Sequence, residues 1–231
     1  MSGSGETQPV SSDTAPVSEL AHQERLDAFE ARAATLSYMQ IEARLFEIVT
    51  PWAAIAPEPK AQIHFHTYGR YHAWHAELWS DLCTGPGSAL AGADQLSGKS
   101  DRSGPWPDGQ CPALDRVGLQ HLRWLDGDLL ERLAEPSHPS RTLEKLVGLY
   151  RVMIPRLVVA YRFHLERTVQ LCDGPLQRVL NLVLQDEVAA WQEGEALVEE
   201  ALDSGQAIER AIAWQASLEA VAVSSQQVTG S

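Results

Sequence analysis

His64-Phe-His-Thr-Tyr-Gly-Arg-Tyr-His-Ala-Trp-His-Ala-Glu-Leu-Trp79 carries four of the chain's eight histidines and reads as one helix. At 3.6 residues per turn, Tyr68, His72, His75 and Trp79 fall on one side, with Tyr71, Leu78 and Leu82 beside them. Imidazole nitrogens on a core-facing stripe need partners inside the protein, so this face is either a site or the remnant of one. His72 and His75, three residues apart, can present neighbouring rings to one ion or one ligand. His64 and His66 lie nearer the helix start and are expected to be exposed or to serve as caps.

Working outward, a long helix is predicted to precede this stretch. It starts at Ser18 as N-cap with Glu19 in the first turn, and runs through Tyr38 and Glu42 to about Val49, where Thr50-Pro-Trp breaks or caps it. Ala56-Pro-Glu-Pro-Lys60 then links it tightly to the histidine helix, because each residue before a proline is pushed out of the α region. Two long helices on a short link should pack antiparallel.

After Cys83, residues 84–113 are rich in Gly, Pro, Ser and Asp, which suggests a surface excursion, a lid or a crossover. Leu114 to Leu133 reads as an amphipathic helix with Leu122, Leu125, Leu129 and Leu133 in one stripe. A third long helix is expected from Ser140 or Arg141 to about Leu171, with Tyr150, Ile154, Leu157, Tyr161 and Leu165 facing inward and a kink or junction at Pro155. A turn at Cys172-Asp-Gly-Pro175 leads into a fourth, to about Leu202, whose stripe is Leu176, Leu180, Val183, Glu187, Ala190, Trp191, Gly194 and Leu197. A short last helix through Ile208, Ile212 and Leu218 ends the domain. Residues 1–17 and 224–231 read as disordered tails, and 18–223 as a single all-α domain with no strand.

The chain has 231 residues, is 44% hydrophobic and carries a formal charge of -13. That is enough length and apolar content for one buried core. The excess of carboxylates argues against nucleic acid or an anionic membrane surface as partner. Residues 1–17 lack the basic and apolar regions of a signal peptide, and no apolar run approaches the roughly 20 residues of a spanning helix. Cys83, Cys111 and Cys172 are odd in number and far apart, which fits a reducing, cytoplasmic setting and no zinc ribbon.

Two carboxylates stand out within the helical stripes. Glu42 has Tyr38, Met39, Leu45, Phe46 and Val49 as helical neighbours, and Glu187 has Val183, Leu184, Ala190 and Trp191. Both are expected to point inward, where a charge needs a metal, a cation or a shared proton. Tyr161 and His164 repeat the three-residue spacing on the third helix. Tyr161 should face Glu187 across the core, while His164 either joins them or faces solvent.

In these features the chain resembles the ferritin-like superfamily over roughly residues 18–202. Glu42 is similar in place to that family's first-helix Glu. His72-Ala-Trp-His75 looks like its second-helix Glu-x-x-His with the Glu replaced, Tyr161 stands where the third-helix Glu would be, and Glu187-Val-Ala-Ala190 looks like the fourth-helix motif with its His lost. The wording of Trp74 to Trp79 and Asp186 to Trp191 also resembles ferritin-like proteins of high-GC bacteria, which brings no activity with it. The resemblance implies an antiparallel four-helix bundle with a long Gly/Pro-rich crossover and a reduced metal site, with Glu42, His72, His75 and Glu187 as ligands.

The expected function is an iron-dependent oxidoreductase of a small molecule, plausible in specialised metabolism, with His72, His75, Tyr161 and Glu187 as catalytic residues. Glu42 with the two histidines would be similar to a two-His-one-carboxylate centre. One alternative is a metal-free enzyme that uses His72 or His75 as general base with Glu42 or Glu187 orienting it. Another is a non-enzymatic bundle that binds a small ligand, serves as a partner subunit or dimerises through spare apolar helix faces. No Gly-rich phosphate loop, Gly-x-Ser-x-Gly elbow or His-Glu-x-x-His pair is present.

Overall fold

The computed structural model describes residues 26, 28–84, 128–168 and 173–227, which are helical with no strand among them. The elements are α1 (Ala28–Ile55), α2 (Pro59–Thr84), α3 (Asp128–Ala134), α4 (Thr142–Val147), α5 (Ile154–Glu166), α6 (Gly174–Ala201) and α7 (Gly205–Gln227). A 3-10 turn, Pro139–Arg141, opens α4, and a π-helical segment, Gly148–Met153, joins α4 to α5. No described helix is long and apolar enough to cross a membrane. The expected N-terminal tail, the start of the first helix, most of the Gly/Pro-rich stretch and most of the Leu114 helix lie outside the described residues, while residues 224–227, expected in the C-terminal tail, belong to α7.

Contacts between the long helices set their directions. Arg32 on α1 donates to the Cys83 carbonyl of α2, Glu42 meets His72, and Trp52 packs edge-on against Phe65 at 5.5 Å, so α1 and α2 run antiparallel. Gly69 permits the close crossing: a Cβ there would lie 2.9 Å from Thr50 Oγ1. Along α2 and α6 the pairs are Lys60 with Glu200, His64 with Glu193 and His75 with Asp186, again antiparallel. Tyr38 packs against the His164 ring at 5.7 Å while Glu42, one turn further along α1, accepts from Tyr161, one turn earlier on α5, which sets α5 antiparallel to α1. It follows that α2 and α5 point the same way, and the chain from 85 to 127 lies in the connection between them.

Two expected helix ends move. The first helix does not stop at Thr50-Pro-Trp but continues through Pro51 to Ile55. Pro51 is exposed and costs one backbone hydrogen bond, while Ile48, Val49 and Trp52 are buried on the other side, so packing holds the helix together past it. The end comes at Ala56-Pro-Glu-Pro59. The junction expected near Pro155 takes the form of the π segment directly before it, which accommodates the missing proline N–H within a continuous helical run. Helix α5 then ends at Glu166, short of Leu171.

The last helix is longer than expected and buries a different face. Ala207, Ala211, Trp214, Leu218 and Ala222 are buried, whereas Ile208 and Ile212 are exposed. The small residues let α7 lie against the α4 and π-segment backbone, where Leu218 and Trp214 approach Gly148. Arg132 and Arg141 both stack over the Trp214 ring, and Arg210 donates to the nearly buried Glu144 at 3.0 Å.

Candidate metal centre

Four ligand-type side chains converge where α1, α2 and α6 meet: Glu42, His72, His75 and Glu187. All four are buried, and one ligand atom from each lies within 4.8 Å of the others. Each gets there because it occupies a core-facing position in an apolar stripe, with Tyr38 and Leu45 flanking Glu42 and Val183 and Ala190 flanking Glu187. His72 Nδ1 lies 2.6 Å from Glu42 Oε2 and 3.5 Å from Glu187 Oε1. His75 Nδ1 lies 3.3 Å from Glu187 Oε1 and 3.5 Å from Glu42 Oε1. Both rings therefore turn the same nitrogen toward one point.

Atoms about 2.1 Å from one shared ion, at tetrahedral or octahedral angles, stand roughly 3.0–3.4 Å apart; three of the four separations, at 3.3–3.5 Å, lie close to this, and the His72–Glu42 pair, hydrogen-bonded at 2.6 Å, would open by a few tenths of an ångström around an ion. The donor set of two imidazoles and two carboxylates suits iron, manganese or zinc. His75 Nδ1 and Glu187 Oε2 are buried without a hydrogen-bond partner among the described residues, which is where an ion would be felt most. Two carboxylates leave less negative charge than a two-ion centre would need.

Two side chains brace the cluster from behind. Tyr161 donates its hydroxyl to Glu42 Oε1 at 2.5 Å, and Asp186 places Oδ2 3.3 Å from His75 Nε2. Outer partners of this kind fix the orientation of a ligand and strengthen its donor atom. On the interior side Tyr38, Trp79 and Tyr161 close a ring of aromatic contacts at 4.8–5.6 Å. On the outer side the Tyr71 ring stacks over His75 at 6.3 Å. Surface cavities of about 390, 550 and 320 Å³ are lined by residues other than these four.

Burial alone would raise the Glu42 carboxyl, but the adjacent His75 and His72 outweigh it and hold it down to about 2. Burial would lower His75, yet the Glu42 charge and the close approach of the Glu187 and Glu42 carboxylates push it up to about 11. His72 is likewise raised against burial by Glu187 and Glu42. The metal-free cluster thus balances imidazolium against carboxylate.

The consequence for stability has a definite sign. The Glu42 contribution is full above its ordinary value of 4.5 and is lost as pH falls toward about 2. The His75 contribution is full below 6.5 and is lost as pH rises toward about 11. Metal-free protein should therefore be most resistant to urea between those ordinary values, near pH 5 to 6, with a decline on both sides. A urea midpoint that keeps rising from pH 6 to pH 9 would contradict this.

The four residues expected as ligands are brought together, and Tyr161 joins them as a donor to Glu42. His164 is buried beside the Tyr38 ring at 5.7 Å and is not one of the four. His66 is exposed as expected, but His64 is buried: its ring packs against Tyr68 and Tyr150, the latter on the distant π segment. Trp191, placed on the core stripe, is 37% exposed, and Val198 takes the inward position beyond Gly194 instead. Asp186 carries no expected role in the sequence. Its one available signal is that Asp186, Glu193 and Glu200 recur at intervals of seven, which keeps them on one side of a helix. Comparison with protein-family models, curated proteins and solved structures returns no match.

Proposed function

We propose that this is a ferritin-like four-helix protein that binds one first-row transition metal, iron first, through Glu42, His72, His75 and Glu187, and that it carries out redox chemistry on a small molecule. The observation that carries the reading is the meeting of four buried ligand-type groups with both imidazoles turned to a common point. The helix directions support it: α1 and α2 antiparallel, α5 and α6 likewise, with the long connection joining parallel α2 and α5 as in bundles with one crossover. Iron bound there would supply one-electron chemistry that no side chain offers. The protein's own part is to orient His75 through Asp186, to hold a proton on Tyr161 Oη against Glu42, and to keep bulk water out with Tyr38, Trp79 and Tyr161.

The test is metal content and its loss on substitution. Wild-type protein reconstituted with ferrous iron should retain about one ion per chain, and His75→Ala should retain at least tenfold less after desalting, since removing one ligand of four strips a large part of the affinity. Binding at pH 7 should also release protons, because imidazolium must give up its proton to become a ligand. Calorimetry in two buffers of different ionisation enthalpy reads that release directly; identical heats in both buffers would count against it.

A specific observation favours a second reading. Tyr161, Glu42 and His72 are linked by hydrogen bonds of 2.5 and 2.6 Å, and His75 reaches Asp186, so the side chains already form a connected proton network. Such a network suits metal-free acid–base catalysis. Turnover that is insensitive to chelator but lost in His72→Gln would select it.

A further inference from the structure

Between Glu58 and Glu77 the chain has no acidic residue, although it carries 31 in all. That gap falls on α2. His66, Arg70 and Trp74, each four residues from the next, form an exposed stripe on its outer face, with Thr67 and Tyr71 beside them. These five residues line the cavity of about 390 Å³, which is within the size range of small-molecule sites. Trp74 is 40% and Tyr71 37% exposed, so two large aromatic rings stay in contact with water there.

Two observations say what fits this cavity. The first is an open charge. Arg44, Arg132, Arg151, Arg156 and Arg210 are each paired with a glutamate, whereas Arg70 has no carboxylate partner among the described residues. In a chain of net charge -13, a guanidinium left open at a cavity wall is free to take an anion from outside, and its planar fork matches a carboxylate. The second is the aromatic pair. The Tyr71 and Trp74 centroids lie 6.5 Å apart with their planes at 51°, so the rings are splayed and not stacked on each other. Their faces can receive a flat ring.

We propose that this cavity binds a planar aromatic carboxylate, its ring against Trp74 and Tyr71 and its carboxylate on Arg70, with His66 and Thr67 as further hydrogen-bonding groups. This names a substrate class for the redox reaction proposed above and, in that role, rests on that reading. The connection is short: the Tyr71 ring lies within 20° of parallel to the His75 ring at 6.3 Å, and Trp74 lies 5.8 Å from it. A molecule held in the cavity is therefore one aromatic ring away from a residue of the cluster.

The experiment is calorimetric titration of the full-length metal-free protein with cinnamate, and with cinnamyl alcohol as the neutral counterpart. Wild type should bind cinnamate with a Kd below about 1 mM and cinnamyl alcohol about tenfold more weakly. Arg70 and Trp74 are exposed, so their variants should fold normally. Arg70→Ala should weaken cinnamate about tenfold and leave cinnamyl alcohol unchanged, and Trp74→Ala should weaken both about fivefold. Arg162→Ala, the same charge change at an exposed position on α5, should stay within about twofold of wild type. Cinnamate that binds no better than its alcohol, or as well to Arg70→Ala as to wild type, would overturn the site and leave the metal centre standing. Arg70-dependent binding by a chain that takes up no iron would uphold the site and remove only its link to redox chemistry.

Discussion

Glu42→Ala is expected to lower the stability of the metal-free protein by about 3–5 kcal/mol, the usual cost of removing one partner from a buried ion pair. Glu42 is wholly buried and is the hub of the cluster: it accepts from Tyr161 and His72, and its charge is the largest favourable influence on His75. Alanine leaves an imidazolium and a phenol without their acceptor in a region closed to water. Glu42→Gln keeps the shape and one acceptor oxygen but not the charge, so it should recover part of the loss. Urea unfolding at pH 6 reads both. A loss below about 1 kcal/mol for Glu42→Ala would mean that water or a rearranged side chain replaces the carboxylate, contrary to the packing described.

The other large effect lies away from the cluster. A Cβ on Gly194 would sit 2.3–2.4 Å from three ring carbons of Tyr150. That ring has nowhere to go, because it is fully buried and its other side meets His64 at 5.0 Å. Alanine favours a helix over glycine by about 1 kcal/mol, but overpacking of this severity costs about 3 kcal/mol or more, so Gly194→Ala should be strongly destabilising. The melting temperature should fall by several degrees, and adding Tyr150→Leu should restore part of it. Gly174→Ala, where a Cβ meets nothing within 4 Å, should leave it unchanged or slightly raised. A Gly194→Ala protein that melts with wild type would contradict the α6–π-segment packing.

Much of the cluster is legible in sequence for one physical reason. Glu42 and Glu187 are charged residues in otherwise apolar stripes, and His72 and His75 share the stripe of Tyr68 and Trp79, so helical period alone turns all four inward. Residues whose environment is made by distant chain are not legible in this way. His64 looks like a helix-start residue, and it is buried by Tyr150, which fits only because residue 194 is glycine. Asp186 lies on the flank of its helix, where period cannot separate a solvated carboxylate from one that braces a histidine. Thr50-Pro-Trp reads as a stop, yet Trp52 packing on Phe65 from the next helix carries α1 one turn further. Local rules failed where tertiary contacts decided.

The most direct test of the account is elemental analysis of protein reconstituted anaerobically with ferrous iron and then desalted, alongside Glu42→Gln, His72→Ala and His75→Ala. The account predicts about one ion per wild-type chain and a large loss in each variant, as expected when ligands of one site are removed singly. Metal-free wild-type protein after reconstitution, or a stoichiometry unchanged in all three variants, would contradict it.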